Sequence, residues 1–289
     1  SSAASDVYKR QAYKWLEAAA YAVADKPDEN LERQADELID LIADAQDKDG
    51  YLNTFFTIKD TEKRWTNLLE GHELYCSGHL IEAACTYYEA TGKRKLLDIA
   101  VKNAECIYDR FVMQNTEGIP GHPEIELALL RLYRLTENKH FLELAQKFIN
   151  ERGKAPDFWA REAKKRSWSV WNSDPWGNDY RQSAKPVREQ TEAVGHAVRA
   201  VYLYTGMADL AAETEDKELF AACRRLWENI VHRKMYITGG IGSTVQGEAF
   251  TVDYDLPPDT AYSETCAAIG LIFFAEKMLE NEINGEYGD

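Results

Sequence analysis

The chain has 289 residues, 45% of them hydrophobic, which is enough for one large domain or two small ones with a buried core. Asp and Glu outnumber Lys and Arg by 49 to 34, and the formal net charge of −15 disfavours nucleic acid or an anionic membrane surface as the main partner. With 7 Trp, 16 Tyr and 10 Phe, the chain carries more aromatic residues than disordered proteins do. The longest apolar run, Cys266 to Ala275, is about half of the ~20 residues that a membrane-spanning helix needs, so we expect a soluble protein.

The first residues and the cysteines indicate how the chain is organised. Residues 1–11 begin without Met and are rich in small and polar residues, so we expect a non-native or disordered tail before a single folded domain over residues 12–289. The five cysteines are odd in number and scattered through segments with a helical pattern, which is not typical of a disulfide framework. They indicate a reducing compartment, and we expect the cytoplasm.

Apolar residues recur at helical spacing in nine segments, and no long stretch shows the alternation of a strand. The nine segments are residues 12–24, 31–46, 72–91, 94–114, 123–136, 139–151, 188–205, 216–232 and 260–280. The sequence therefore predicts an all-α protein. Two interruptions, the tryptophan-rich residues 158–180 and the glycine-rich residues 238–247, are predicted to be functional loops.

A short motif recurs where helical segments end. An aromatic residue and a threonine close one helix, a charged turn follows, and a second helix begins with bulky residues. The motif occurs in residues 87–100, again 45 residues later in 132–145, and in looser form in 214–227. Helical hairpins repeated at this period are typical of α-solenoids and of closed toroids of paired helices. A toroid of six hairpins has twelve helices, so nine segments mean either that three were missed or that the domain is incomplete.

The first candidate site residues lie in residues 71–80. His72, Cys76 and His79 fall at positions i, i+4 and i+7 and share one face of the predicted helix, an arrangement that could bind a metal. A polar stripe with satisfied hydrogen bonds is the commoner outcome, because zinc sites usually recruit more distant ligands as well.

Two further histidines have comparable settings. His122 precedes Pro123, a residue suited to the first turn of a helix. His196 follows Glu192 by four residues within the predicted helix 188–205, which places both on one polar line along the helix. Together with His72, these histidines suggest one polar mouth of the toroid.

Residues 237–268 are the stretch richest in candidate chemistry. Their glycines allow tight turns, so Glu248 is expected to emerge from an irregular loop, as an acid catalyst requires. A solvated glutamate on a mobile loop is an equal interpretation. Glu264 and Cys266 lie about 200° apart on an ideal helix and could ligate one metal only at an irregular or first-turn position. Taken alone, Cys266 is typical of a buried small residue.

Five motifs occur in a consistent order between about residue 12 and residue 280. They are HELYCSGHLIEA from His72, PGHPEIELAL from Pro120, EAVGHAVRA from Glu192, TGGIGS from Thr238 and GEAFTVDYDLPPDTAYSETCA from Gly247. In these motifs the chain resembles glycoside hydrolase family 127, the β-L-arabinofuranosidases. The resemblance implies an (α/α)6 barrel, a toroid of helical hairpins, that is incomplete at its C-terminal end in this chain.

The same resemblance implies a retaining hydrolase that cleaves terminal β-L-arabinofuranosyl linkages with the help of zinc. The matching positions are Glu248 for the acid/base, Glu264 and Cys266 for two zinc ligands, and His72, His122 and His196 for histidines that contact the sugar. The family's nucleophile is a zinc-bound cysteine, one of an adjacent pair well beyond the position of Cys266. We therefore expect a truncated catalytic domain that alone binds zinc weakly and hydrolyses little or nothing.

Two other functions fit the sequence. Sugar epimerases of the N-acyl-glucosamine type also use an (α/α)6 barrel with a histidine-lined mouth and need no metal, but the SETC motif at residues 263–266 disfavours them. Alternatively, the chain binds a saccharide without turnover, through stacking on Trp168, Trp171 and Trp176, although anchoring of their loop is the commoner role of such residues. In every case the expected partner is a saccharide.

Overall fold

The computed structural model describes residues 2–170 and 176–288, with side chains from residue 10 onward. These residues form eleven α-helices, which are α1 Ser2–Asp25, α2 Glu29–Ala45, α3 Thr54–Lys59, α4 Glu73–Thr91, α5 Lys95–Tyr108, α6 Ile125–Thr136, α7 Lys139–Glu151, α8 Phe158–Lys165, α9 Ala197–Thr214, α10 Lys217–Asn229 and α11 Thr265–Asn281. Short π-helical segments continue α5 and α10. Strand pairing in the described residues is limited to three isolated antiparallel bridges. The predicted all-α class is confirmed.

The chain divides into two compact units. The first consists of residues 1–121, 128–145 and 160–172, and the second of residues 122–127, 146–159 and 173–289. The backbone of α1 is helical from Ser2, whereas a tail was expected over residues 1–11. The tail's origin and the single domain over residues 12–289 stay predictions. None of the described helices combines the length and apolar character that crossing a bilayer requires.

In the first unit, α4 is the helix that its neighbours pack against. α1 lies along it, and α5 packs on it as the second helix of a hairpin. Fourteen residues of α4 are buried, Cys76 and His79 among them. Such burial on all sides is typical of a core helix.

In the second unit, α9 has the corresponding position. α10 and α11 both pack on it, and every residue from Ala197 to Ala211 is buried. A buried ion pair lies in the same unit: Arg152 Nη2 is 3.4 Å from Glu126 Oε1, and neither side chain is exposed. Arg152 also donates a hydrogen bond of 2.9 Å to the carbonyl of Arg181. This carbonyl and the Glu126 carboxylate give the buried guanidinium polar partners, as a buried charge requires.

The repeated motif corresponds to real hairpin ends. Thr91, Thr136 and Thr214 each end a helix and donate a hydrogen bond of 2.7 Å to the carbonyl four residues earlier. After a turn of two or three residues the next helix begins in each case. The motif therefore marks three helix–turn–helix junctions, and the two helices pack on each other for α4 with α5 and for α9 with α10. The shared threonine has a structural role at the end of the first helix.

The predicted helix over residues 188–205 is wrong in its N-terminal half, because α9 begins only after His196. Gly195 explains the late start. It has a left-handed φ of +72°, and a Cβ added to it would lie 2.4 Å from the Cα of Tyr180, so no larger residue fits. Glu192 therefore lies outside the helix and shares no helical face with His196.

Two short helices were missed by the sequence analysis. α3 and α8 have six and eight residues, too few for apolar periodicity to stand out. α8 lies within residues 158–180, which were predicted to be a loop. Trp171, one of the three tryptophans considered for sugar stacking, lies outside the described residues.

Candidate active site

Most of the predicted site residues lie in the second unit, where irregular backbone brings them together. His196 pairs with Ala249 in an antiparallel bridge, and the N–H of Phe250 donates to the carbonyl of Gly195 at 2.9 Å. A second bridge joins Thr244 to Ala249. These contacts hold the glycine-rich loop against the N-terminus of α9, and they place Glu248 beside His196.

Two donors hold the carboxyl group of Glu248. His196 Nε2 lies 3.0 Å from Oε2, and the Tyr262 hydroxyl donates to Oε1 at 2.8 Å. The side chain of Glu248 is nevertheless 43% exposed, so a substrate can reach it. Its backbone has a left-handed φ of +54° and follows Gly247, which is also left-handed. The predicted irregular loop is confirmed, and the carboxylate is fixed rather than merely solvated.

His196 acts as a neutral donor in this arrangement. It caps α9, and its Nδ1 accepts a hydrogen bond of 3.2 Å from the backbone N–H of Arg199. The ring proton is therefore assigned to Nε2, which faces Glu248. Burial, followed by the nearby Arg199 guanidinium, lowers the pKa of His196 to about 4 against the opposing effect of the Glu248 carboxylate. The imidazole is thus uncharged at neutral pH.

Tyr262 is the second donor to Glu248, and the sequence analysis did not single it out. Its hydrogen bond to the carboxylate and its burial raise its pKa to about 12, with smaller contributions from Glu264 and Cys266. The phenol therefore stays protonated at neutral pH and remains a donor. Tyr262 could have been found from the sequence, because it lies in the same family motif as Glu248 and SETC.

His122 lies beside His196, as predicted, with ring centroids 5.7 Å apart. Nδ1 of His122 is 2.8 Å from the carbonyl of Pro123, to which it donates. His72 lies in the first unit, immediately before α4, with a left-handed φ of +52° and Nδ1 2.7 Å from the carbonyl of Glu70. A shared polar mouth that includes His72 stays a prediction.

An aromatic and cationic layer adjoins His196. The ring of Tyr180 packs edge-on against the imidazole at 5.7 Å, and Trp176 stacks on Tyr180. The guanidinium of Arg199 lies 4.9 Å from the Tyr180 ring centroid. Arg199 is only 4% exposed, and its Nε and Nη1 have no hydrogen-bond partner among the described residues. The sequence analysis missed Tyr180 and Arg199, because neither residue type is a usual acid, base or metal ligand.

Glu264 and Cys266 meet the geometric condition for a shared metal. Glu264 is the N-cap of α11, and Cys266 is in the first turn. Cys266 is exposed, so the interpretation as a buried small residue is wrong. Oε2 of Glu264 is buried without a hydrogen-bond partner among the described residues, as expected for an oxygen that has a cation to bind. A carboxylate oxygen and a cysteine sulfur are both zinc donors, so this pair fits the metal.

Metal-binding groups of three or more side chains are absent from the described part of the chain. A zinc ion at Glu264 and Cys266 would have two donors from these residues and would need further ones, since a structural zinc site has four. The alternative metal site at His72, Cys76 and His79 is not supported either. Cys76 and His79 are buried within α4, and with His72 they do not form a group that could hold a metal ion.

Comparison with known proteins identifies relatives along nearly the whole chain. The family described as β-L-arabinofuranosidase, GH127 catalytic domain, matches residues 4–289. A non-reducing end β-L-arabinofuranosidase from Bifidobacterium longum subsp. longum is 46% identical over 290 residues, which cover 96% of this chain and 43% of that protein.

Solved structures agree with this match. A GH127 β-L-arabinofuranosidase from Geobacillus stearothermophilus T6 has a TM-score of 0.90 and 52% identity, covering 96% of this chain and 44% of that one. A second GH127 β-arabinofuranosidase has a TM-score of 0.85 and 40% identity, covering 96% and 42%. The similarity to these structures confirms the predicted fold of helical hairpins. The chain spans less than half the length of these relatives. The chain belongs to glycoside hydrolase family 127.

Proposed function

We propose that this chain carries the acid/base part of the active site of a retaining β-L-arabinofuranosidase that removes terminal β-L-arabinofuranosyl groups. The observation that supports it best is the Glu248 carboxyl, which is held by two donors and is still 43% exposed. Two of the relatives carry this activity in their names. Because the chain spans less than half of their length, the activity is proposed for the full-length protein.

In the proposed reaction, protonated Glu248 gives its proton to the departing glycosidic oxygen. The resulting carboxylate then takes a proton from the attacking water. The Tyr262 hydroxyl and the neutral Nε2–H of His196 keep the two oxygens oriented through both steps.

Glu264 and Cys266 are the residues of this chain that would hold zinc, together with donors outside residues 1–289. When bound, zinc would keep a thiol ionised at neutral pH and so supply the nucleophile of the retaining route. The nucleophilic cysteine itself is proposed to lie outside these residues. His72, His122 and His196 are proposed to contact the sugar.

The alternatives separate from this proposal on specific grounds. Membership of family 127 disfavours the sugar epimerase. If the protein binds a saccharide without turnover, replacing Glu248 should change only the binding affinity. If it hydrolyses the saccharide, the replacement should slow the reaction most for substrates whose leaving group needs protonation.

The test uses the full-length protein and two β-L-arabinofuranosides, one with a dinitrophenyl and one with a methyl leaving group. Glu248→Gln should reduce kcat/KM for the methyl glycoside about 10²- to 10⁴-fold, because its oxygen needs protonation to leave. The loss for the dinitrophenyl glycoside should be much smaller. The control is Glu189→Gln, which alters an exposed carboxyl outside the site. Equal losses on both substrates, or no hydrolysis by the unaltered protein, would contradict the proposal.

A further inference from the structure

An exposed aromatic pair lies beside Glu248 and is not used in the mechanism above. Trp176 and Tyr180 stack with ring centroids 5.2 Å apart and an angle of 22° between the rings. Trp176 is 42% exposed, which leaves a large apolar surface in contact with water. An apolar surface exposed next to a candidate site is typical of a ligand-binding position.

The pair is tied to the acid/base through Gly247. A Cβ added to this residue would lie 3.1 Å from Cζ3 of Trp176 and 3.0 Å from Cε2 of Tyr180. The backbone immediately before Glu248 therefore lies in close contact with both rings, and a side chain here would have to displace them by a few tenths of an ångström. The left-handed φ of +71° at Gly247 adds a second reason for glycine at this position.

The aromatic pair packs against His196 and Arg199 through Tyr180. Tyr180 contacts the imidazole of His196 edge-on, and the buried Arg199 guanidinium lies 4.9 Å from its ring centroid. His196 in turn binds Glu248. The position of the aromatic pair relative to the carboxyl is thus set by a continuous series of contacts within the second unit.

We infer that Trp176 and Tyr180 form the platform that binds the first sugar of the leaving group, an inference that rests on the proposed function. A general acid has to reach the glycosidic oxygen, so the leaving group passes beside Glu248. The C–H face of a sugar ring packs well on an exposed indole. The preferred substrates are therefore arabinofuranosides whose leaving group is another sugar, rather than a simple alcohol.

The test compares an arabinofuranosyl disaccharide with methyl β-L-arabinofuranoside as substrates of the full-length protein. Trp176→Ala should reduce kcat/KM for the disaccharide about 3- to 10-fold, the range that corresponds to an aromatic contact. The methyl glycoside should change less than twofold, and Trp176→Phe should restore part of the loss. Trp15→Ala removes an equally exposed tryptophan from the first unit, 40% exposed, and should affect neither substrate.

Binding gives a readout that does not need turnover. On the Glu248→Gln variant, calorimetry should show tighter binding of the disaccharide than of the methyl glycoside, and Trp176→Ala should abolish the difference. Equal kinetic losses on both substrates, or no preference for the disaccharide in binding, would overturn the inference. If the unaltered protein hydrolyses neither substrate but binds the disaccharide through Trp176, the proposed function fails and the platform stands.

Discussion

His196 and Glu248 face each other with Nε2 and Oε2 3.0 Å apart, and the backbone N–H of Arg199 occupies the other ring nitrogen. This fixes both the tautomer and the direction of the imidazole. The ring is a donor to the carboxyl without being a cation. Several measurable consequences depend on this relationship and on the groups around it.

The neutral state of buried His196 should make stability depend on pH. In the unfolded chain the imidazole takes up a proton near its ordinary pKa of 6.5, whereas its folded pKa is about 4. Because the unfolded state binds more protons between these values, stability should fall as pH decreases from about 6.5 to about 4.

Urea unfolding at pH 7 and pH 4.5 measures this effect. His196→Gln should remove about 2 kcal/mol of the pH dependence, since the amide does not titrate. His232→Gln, which changes an exposed histidine in the same way, is the matched control. If His196→Gln and the unaltered protein lost the same unfolding free energy between pH 7 and pH 4.5, the prediction would be wrong.

Tyr262→Phe should slow hydrolysis more than it destabilises the fold. Removing the hydroxyl takes away one of the two donors that orient the Glu248 carboxyl. A hydrogen bond to a charged group is worth about 1.5 to 3 kcal/mol, so kcat/KM of the full-length protein for the methyl glycoside should fall about 10- to 100-fold. Tyr254→Phe, which changes an exposed tyrosine of the same segment, is the control, and an unchanged kcat/KM in Tyr262→Phe would argue against the role of Tyr262.

Zinc binding should depend on Glu264 and Cys266. In full-length protein dialysed against buffered zinc, Glu264→Gln or Cys266→Ser should weaken zinc affinity at least tenfold, because each removes a donor. Cys106→Ser is the matched control in the first unit, where burial chiefly raises the pKa of the thiol to about 11. Metal content is measured directly by atomic spectroscopy. Full zinc occupancy in both variants would show that the metal, if bound, lies elsewhere.

The ion pair of Arg152 and Glu126 should be sensitive to the loss of one partner. Both side chains are fully buried, so Arg152→Met leaves the Glu126 carboxylate with the backbone N–H of Glu124 but without its cationic partner, and should cost about 3 to 5 kcal/mol of unfolding free energy. Adding Glu126→Gln should recover part of that loss. Denaturant unfolding of the two single variants and the double variant measures the coupling, and additive losses would mean that the pair does not interact.

Much of the fold was predictable because long helices carry their own signal. The boundaries of α4 and α7 match the predicted segments to within one residue. The shared threonine of the hairpins was visible in the sequence as a repeat. α3 and α8 were missed because six and eight residues contain too little periodicity, and the start of α9 was misplaced because the close packing of Gly195 is a tertiary effect.

The site was predictable where residues have recognisable chemistry or lie in a family motif. Glu248, His122 and His196 were identified in advance, and the structure brings them together. Tyr180 and Arg199 were not, because their contribution comes from packing around an imidazole and not from their own reactivity. Sequence spacing does not predict such contacts, because Tyr180 and Glu248 are far apart along the chain and come close only in the folded structure.

Gly195 shows how much a residue without a side chain can determine. Its carbonyl binds the N–H of Phe250, its Cα lies against Tyr180, and it immediately precedes His196. Mutational screens that target reactive groups would pass over this position. Yet a larger residue here would clash with the backbone of Asp179 and Tyr180 and so displace the segment that carries His196, with every reactive side chain of the site still present.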